Sequence, residues 1–319
     1  MQITALTDIV QGELINSPSI SFITQIHTNI SKINEGDAFF ATNKQDIEYA
    51  IKKGVFAIIY DFETSILDTE IAWIKVDNFQ KAITNILRYK LIESKTEFIK
   101  TNKIFFHLLT IFKSKEFSDT ILLKENLSDN FELLNSIDCK KIIFGTDLKF
   151  LNAISGKVSI LEHNHYDIKN LITHSLFETS FSYKDKFFDK LKLPTVYIDD
   201  LVQQLELFEY KLDLKKLNNF DLFKPIFINK NNEIVNFGQT NKFILANKDI
   251  EIYDIEINYL QSHYSYGDIK TLDATKLNND ELFSIIKDLE FNALYCKNIS
   301  IKQVSNILEK NYAVDNFII

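Results

Sequence analysis

Apolar residues along this chain recur in two rhythms. Ser19–Ile26 (SISFITQI) alternates in part and is rich in β-branched and aromatic side chains, which predicts a strand. Ala38–Ala41, Val55–Tyr60 and Ala72–Val76 are short runs apolar almost throughout, the signature of strands covered on both faces. Ile47, Ala50 and Ile51 instead share a helical face closed by Gly54, and Phe79, Ala82, Ile83, Ile86, Leu87 and Leu91 recur at helical spacing behind Asn78, a natural N-cap. Gly36 supplies the positive φ for the turn before Ala38. Ile3–Val10 is a short opening helix or strand. Strands alternating with helices predict a βαβ domain with parallel pairing, ending near Lys95, where Ser94–Glu97 loses periodicity.

Beyond that point Lys103–Lys113 (KIFFHLLTIFK) is an apolar segment with lysine ends, suited to a buried helix and too short to span a bilayer. Lys140–Phe144 and Lys157–Leu161 are predicted strands around a helix over Leu148–Ile154, capped by Thr146 or Asp147. Val196–Tyr197 is expected to end a strand before a helix striped by Ile198, Leu201, Val202, Leu205 and Phe208, with Asp199 and Asp200 in its first turn. Pro225–Asn229 and Glu233–Phe237 form a predicted hairpin, and Lys242–Ala246 a third strand, so the sheet there is partly mixed. A helix through Leu282–Leu289, a strand over Asn292–Cys296 and a last helix opened by a Ser300/Gln303 capping box complete the chain. The fold class is α/β, with one domain over residues 1–95 and a second, with a partly mixed sheet, over residues 96–319, with a sub-boundary near residue 247.

The 319 residues carry a net charge of −8, which gives no field to gather a phosphate backbone and argues against nucleic acid as a partner. Arg88 is the sole arginine in a chain rich in lysine, asparagine and isoleucine, a bias that suits an AT-rich genome and leaves one place for a bidentate guanidinium clamp. Cys139 and Cys296 stand far apart with no CxxC, and no membrane span or leader segment is read, so a cytoplasmic location without a structural disulfide is expected.

Thr28, Gly36, Asp37, Phe39 or Phe40, Ala41, Asp46, Gly54, Ala57, Val76, Asp77, Ala82 and Arg88 occur in an order and spacing that resembles the amino-terminal, uridine-nucleotide-binding domain of the Mur ligases, of the MurE and MurF kind. The resemblance covers about the first 90 residues and implies a bacterial protein of peptidoglycan metabolism. By it, Thr28, Asn29, Ser31, Asp37 and Asp46 are the candidate substrate-binding residues and a UDP-muramyl nucleotide the candidate ligand. The family's Asp-Ser-Arg after the threonine is here Asn29, Ile30 and Ser31, and the glycine and histidine beside the second aspartate are missing. Lys100, Thr101 and Lys103 stand where the family's phosphate-binding Lys-Thr-Thr-Thr-Lys run would be, without its glycines. The remainder therefore resembles a degenerate central region, and the chain is shorter than a complete three-domain ligase. With these losses the resemblance implies no ATP or magnesium cofactor and no catalytic residues. The expected function is that of a non-catalytic protein binding a muramyl nucleotide or a cell-wall or division protein. The alternative is an active ATP-dependent peptide or amino-acid ligase with an atypical phosphate site.

Two further patterns stand outside the resemblance. His163 and His165 alternate and could hold a metal with Asp167 or His174, although a polar loop is the simpler reading and no metal is expected. Phe181, Tyr183, Phe187 and Phe188 with Lys184 and Lys186 read as core packing beside a solvated face.

Overall fold

The computed structural model describes residues 1–113, 117–137 and 139–315. Its contacts divide the chain into two units, Met1–Asn102 with Ser114–Glu162, and Lys103–Lys113 with His163–Ile319.

The first unit opens with helix α1 (Ile3–Val10) and the strands β1 (Glu13–Leu14), β2 (Ile26–His27) and β3 (Ala38–Phe40). Helix α2 (Lys44–Lys52), strands β4 (Ala57–Tyr60) and β5 (Ala72–Lys75) and helix α3 (Phe79–Leu91) come next. The sheet order is β1-β5-β4-β3-β2, parallel except for β1 at the edge. The continuous apolar runs have a simple cause. Phe39, Ile58 and Trp73 lie in register and enter a cluster with Ile47 and Ala50 of α2, while Phe40, Ile59 and Ile74 point the other way, into the cluster of α1 and α3. Each fully buried side chain of this size contributes roughly 1.5–3 kcal/mol. Gly36 and Gly54 adopt φ of +90° and +82°, and the Gly36 N–H donates to the Gly54 carbonyl at 2.9 Å, which ties the turn before β3 to the end of α2.

The core does not stop at residue 95. Strands β6 (Glu97–Lys100), β7 (Thr120–Leu122), β8 (Ile142–Gly145) and β9 (Ser159–Ile160) form an all-parallel sheet in the order β7-β8-β6-β9, with helices α5 (Leu127–Leu134) and α6 (Leu148–Ile154). Phe98, Ile121, Phe131, Ile143 and Leu151 from these elements share one cluster with Leu6, Phe40 and Ile86.

Two strand expectations differ from the structure. In the segment Ser19–Ile26 only Ile26 enters a strand, while Phe22 makes an isolated bridge to Gln2. Its other backbone groups are used singly: the Ile3 N–H donates to Ser21, the Ile23 N–H to Met1 and the Thr24 N–H to Gly36. Val196 and Tyr197 lie in a 3-10 turn, Thr195–Tyr197, because Pro194 fixes its own φ and its carbonyl accepts the Tyr197 N–H at 3.1 Å, leading straight into a helix.

The second unit contains α4 (Lys103–Phe112), α7 (Ile198–Leu207) and an antiparallel meander of β10 (Lys169–Ser175), β11 (Glu178–Tyr183) and β12 (Lys186–Leu191). Phe181, Tyr183 and Phe188 are buried and Phe187, Lys184 and Lys186 exposed; alternation separates Phe187 from Phe188, while Lys184 lies in the β11–β12 turn and Lys186 at the first position of β12. A mixed sheet in the order β14-β13-β15-β17-β16 is built from β13 (Ile226–Ile228), β14 (Ile234–Val235), β15 (Phe243–Asn247), β16 (Ile269–Asp273) and β17 (Ala293–Lys297). Its β15, β17 and β16 run parallel, and the β13–β14 hairpin is antiparallel. One face, with Phe227, Phe243, Leu245 and Tyr295, joins the cluster of α4, α7 and α8 (Ile250–His263). The opposite face, with Ile228, Ile244, Leu294 and Cys296, packs on α9 (Asn279–Asp288) and α10 (Ile301–Asp315), which opens with the Ser300/Gln303 capping box. Both cysteines are free, and among the described residues no helix is long and apolar enough to cross a membrane.

Candidate functional site

The turn after β2 is organised by a carboxylate from far along the chain. Glu132, on α5, accepts from the Thr28 N–H at 2.7 Å, the Asn29 N–H at 3.0 Å and the Thr28 hydroxyl at 3.1 Å, all on Oε1. Its Oε2 lies 3.2 Å from both His27 Nδ1 and Lys32 Nζ. The Thr28 hydroxyl also meets Ser128, in the first turn of α5, and Asn135 Nδ2 donates to the Ile26 carbonyl at 2.8 Å. Burial pushes the Glu132 carboxyl up, but the Thr28 N–H, His27, the Asn29 N–H and Lys32 together hold it below the ordinary carboxylate range. Lys90 on α3 is half-buried, and burial lowers its ammonium while Glu132 opposes that shift.

The remaining residues of this region are likewise engaged. The Asn29 side chain accepts the Ser31 N–H at 2.9 Å and caps the 3-10 turn Ile30–Lys32. Asp37 is buried, and its two oxygens accept the N–H groups of Gln25 and Asn34 at 3.0 and 2.9 Å, stitching β2 to the Gly36 turn. Asp46 lies in the first turn of α2, where its carboxylate accepts from the Asn43 side chain at 2.7 Å while the Asn43 side chain accepts the Asp46 N–H at 2.9 Å.

Strand β6 ends at Lys100 and α4 begins at Lys103, leaving only Thr101 and Asn102 between them. The Thr101 N–H donates to the Gly145 carbonyl at 3.0 Å, and its buried hydroxyl has no hydrogen-bond partner among the described residues. Lys100 and Thr101 belong to the first unit and Lys103 to the second. Within its own unit the Lys103 ammonium lies 2.7 Å from Asp249 and 3.2 Å from Glu251, at the N-terminus of α8. Burial lowers its pKa and the two carboxylates raise it further than burial lowers it.

His163 and His165 come together with Asp199 of α7, with neither Asp167 nor His174. His165 Nδ1 is 2.8 Å from one Asp199 oxygen, and the other accepts the Tyr166 N–H at 3.1 Å. Asp167 lies 3.9 Å from Lys169, and His174 Nε2 lies 2.7 Å from the Ser180 hydroxyl.

Two features of the second unit carry no sequence expectation. A cleft of about 430 Å³ is lined by Phe177, Phe227, Phe237, Phe243, Tyr264 and Tyr266 with Asn241 and Asn292 at its polar margin. Separately, Glu256 of α8 is fully buried and accepts from the hydroxyls of Tyr197 and Tyr295 and from Asn247 Nδ2 at 3.2 Å. Burial lifts its carboxyl to about 7 against the opposing hydrogen bonds, and burial together with Glu256 drives the Tyr197 hydroxyl well above the tyrosine range. The Glu132 and Glu256 partners were missed because no local pattern marks them. Each is one acidic residue on a helix, and most of its partners lie far away in sequence.

No family model matches the chain, and no curated protein matches it by sequence. Its architecture does have solved counterparts. MurF from Acinetobacter baumannii superposes with a TM-score of 0.53 at 11% identity, over 97% of this chain and 98% of that one. A MurF ligase from Thermotoga maritima, solved in complex with ADP, gives 0.51 at 12% identity, over 90% and 97%. The chain therefore has a Mur ligase-like α/β fold, and the likeness extends well past the first 90 residues.

Proposed function

We propose that this chain is a non-catalytic Mur-ligase-like protein of peptidoglycan metabolism that acts by binding, with a cell-wall or division protein as its occupant in preference to a muramyl nucleotide. The observation that carries this reading is the Glu132 carboxylate in the Thr28–Asn29 turn. Backbone N–H groups and a lysine that could face a ligand phosphate already hold an anion of the protein's own, so a nucleotide docking there has to displace it against about 1.5–3 kcal/mol per charge-assisted hydrogen bond. Two more features support it. The β6–α4 connection is too short to form a glycine-rich phosphate cradle, and the Lys103 ammonium is paired with two carboxylates. The second reading, an active MurE/MurF-type ligase with an atypical phosphate site, draws on the buried, unpartnered Thr101 hydroxyl at a strand end.

Calorimetric titration with a UDP-muramyl-tripeptide, UDP and Mg-ATP, on the native chain and on Glu132→Ala, tests this. No heat with any of the three on the native chain is the expected result. Muramyl nucleotide binding without ATP binding would make the chain a nucleotide sensor or carrier. Binding of both, with ligation in the presence of an amino acid or dipeptide, would overturn the non-catalytic reading.

A further inference from the structure

Beyond the Mur-like features, the first turn of α7 and the segment before β10 form a cluster whose chemistry differs from the rest of the molecule. We propose that His163, His165 and Asp199 form a binding site for a divalent transition-metal ion of the zinc class. The three side chains each offer a ligand atom, and these atoms lie within 4.8 Å of one another. A zinc ion with bonds of about 2.0–2.1 Å places tetrahedral ligands about 3.3 Å apart, so the widest pair has to close by at most about 1.5 Å, a distance on the scale of a side-chain rotation. The two rings meet edge to face, with centroids 5.2 Å apart, and the side chain of His165 is 86% exposed, so it is free to make that rotation.

The carboxylate is better held than the rings. Asp199 projects from the first turn of α7, and one of its oxygens is fixed by the Tyr166 N–H at 3.1 Å, leaving the other directed at His165. That is the outer-shell hydrogen bond that orients a ligating carboxylate. Asp200, buried beside it, has an oxygen 3.6 Å from His163 Nδ1, beyond hydrogen-bond length but near enough to become the carboxylate partner that metal-binding histidines usually have once the ring turns onto a metal. Two imidazoles and a carboxylate form a borderline set that suits zinc, cobalt, nickel or copper and is poor in the hard oxygens that calcium and magnesium require. Three protein ligands at an exposed site leave a coordination position for water. An ion there would clamp residues 163–165 to the start of α7 and stabilise the fold in proportion to its occupancy.

The probes are zinc chloride in calorimetry and cobalt chloride in visible absorption, both on the full chain. One equivalent of zinc is expected to bind, the cobalt form to show the intense d–d bands of tetrahedral nitrogen and oxygen coordination, and the melting temperature to rise with added zinc. His165→Ala, at an exposed position, and Asp199→Asn, which keeps the side-chain shape, should each weaken zinc by about 100-fold. His174→Gln, the same kind of change at a histidine outside the cluster, should leave binding unaltered. Circular dichroism of each variant separates loss of the site from loss of the fold. The proposal is overturned if zinc does not bind saturably, or if it binds the folded His165→Ala and Asp199→Asn variants as tightly as the native chain.

Discussion

Glu132 in the first unit and Glu256 in the second are both withdrawn from water, and their carboxyl pKa values move in opposite directions. Glu132 faces backbone N–H groups, a histidine and the Lys32 ammonium, so its charge is met and its pKa falls. Glu256 faces two tyrosine hydroxyls, the Asn247 amide and the Phe223 backbone, with no cation among those partners, and burial wins. Burial by itself therefore does not set the charge of a carboxyl. What separates these two is the positive charge that stands beside the donors at Glu132 and is missing from the partners of Glu256.

Substitutions and pH separate the two sites. Glu256→Ala removes the acceptor of Tyr197, Tyr295 and Asn247 and leaves a cavity, and is expected to cost about 3–5 kcal/mol in urea denaturation. A pH series comes next. The folded pKa of Glu256 lies above its unfolded value, so its contribution is complete below about 4.5 and is lost as pH rises to about 7. On that account stability falls by on the order of 3 kcal/mol across this window. Glu256→Gln should flatten the profile, and an unchanged slope in that variant would assign the pH dependence elsewhere.

Glu132 runs with the opposite sign. Its folded pKa is depressed, so its contribution is present above the unfolded value and lost as pH falls through the folded one. Glu132→Gln should lower stability by about 1–3 kcal/mol near neutrality and converge with the native chain in acid. The smallest effect is expected at Asp46, whose carboxylate only helps to cap α2. Asp46→Ala should cost about 1 kcal/mol in thermal melts and leave any nucleotide titration unchanged. A loss of nucleotide binding in that variant would make Asp46 a ligand contact.

Much of the first sheet was legible in the spacing of apolar residues. Ala38–Phe40, Ala57–Tyr60 and Ala72–Lys75 announced themselves as strands because both faces of that sheet are covered, and Phe79–Leu91 as a helix because its apolar face repeats at helical spacing. Helix α8 was not legible. Ile250-Glu251-Ile252-Tyr253-Asp254-Ile255-Glu256-Ile257 alternates like a strand, and the buried Glu256 interrupts the apolar face that would have marked a helix. His163 and His165 were visible as a pair, while their third member, Asp199, was read only as a first-turn carboxylate.

The sequence by itself determined whatever depends on neighbours a few residues away. The positive φ of Gly36 and Gly54, the caps at Asn78, Asp147 and Ser300, and the alternation that exposes Phe187 and buries Phe188 are of this kind. Local sterics, hydrogen bonds and side-chain alternation account for each of them. Tertiary structure alone decided the sites. Glu132 reaches Thr28 across 104 residues, Tyr197 and Tyr295 reach Glu256 across 59 and 39, and Asp199 reaches His165 across 34. A carboxylate acquires its charge and its role from groups packed around it, and only the closed fold brings those groups together.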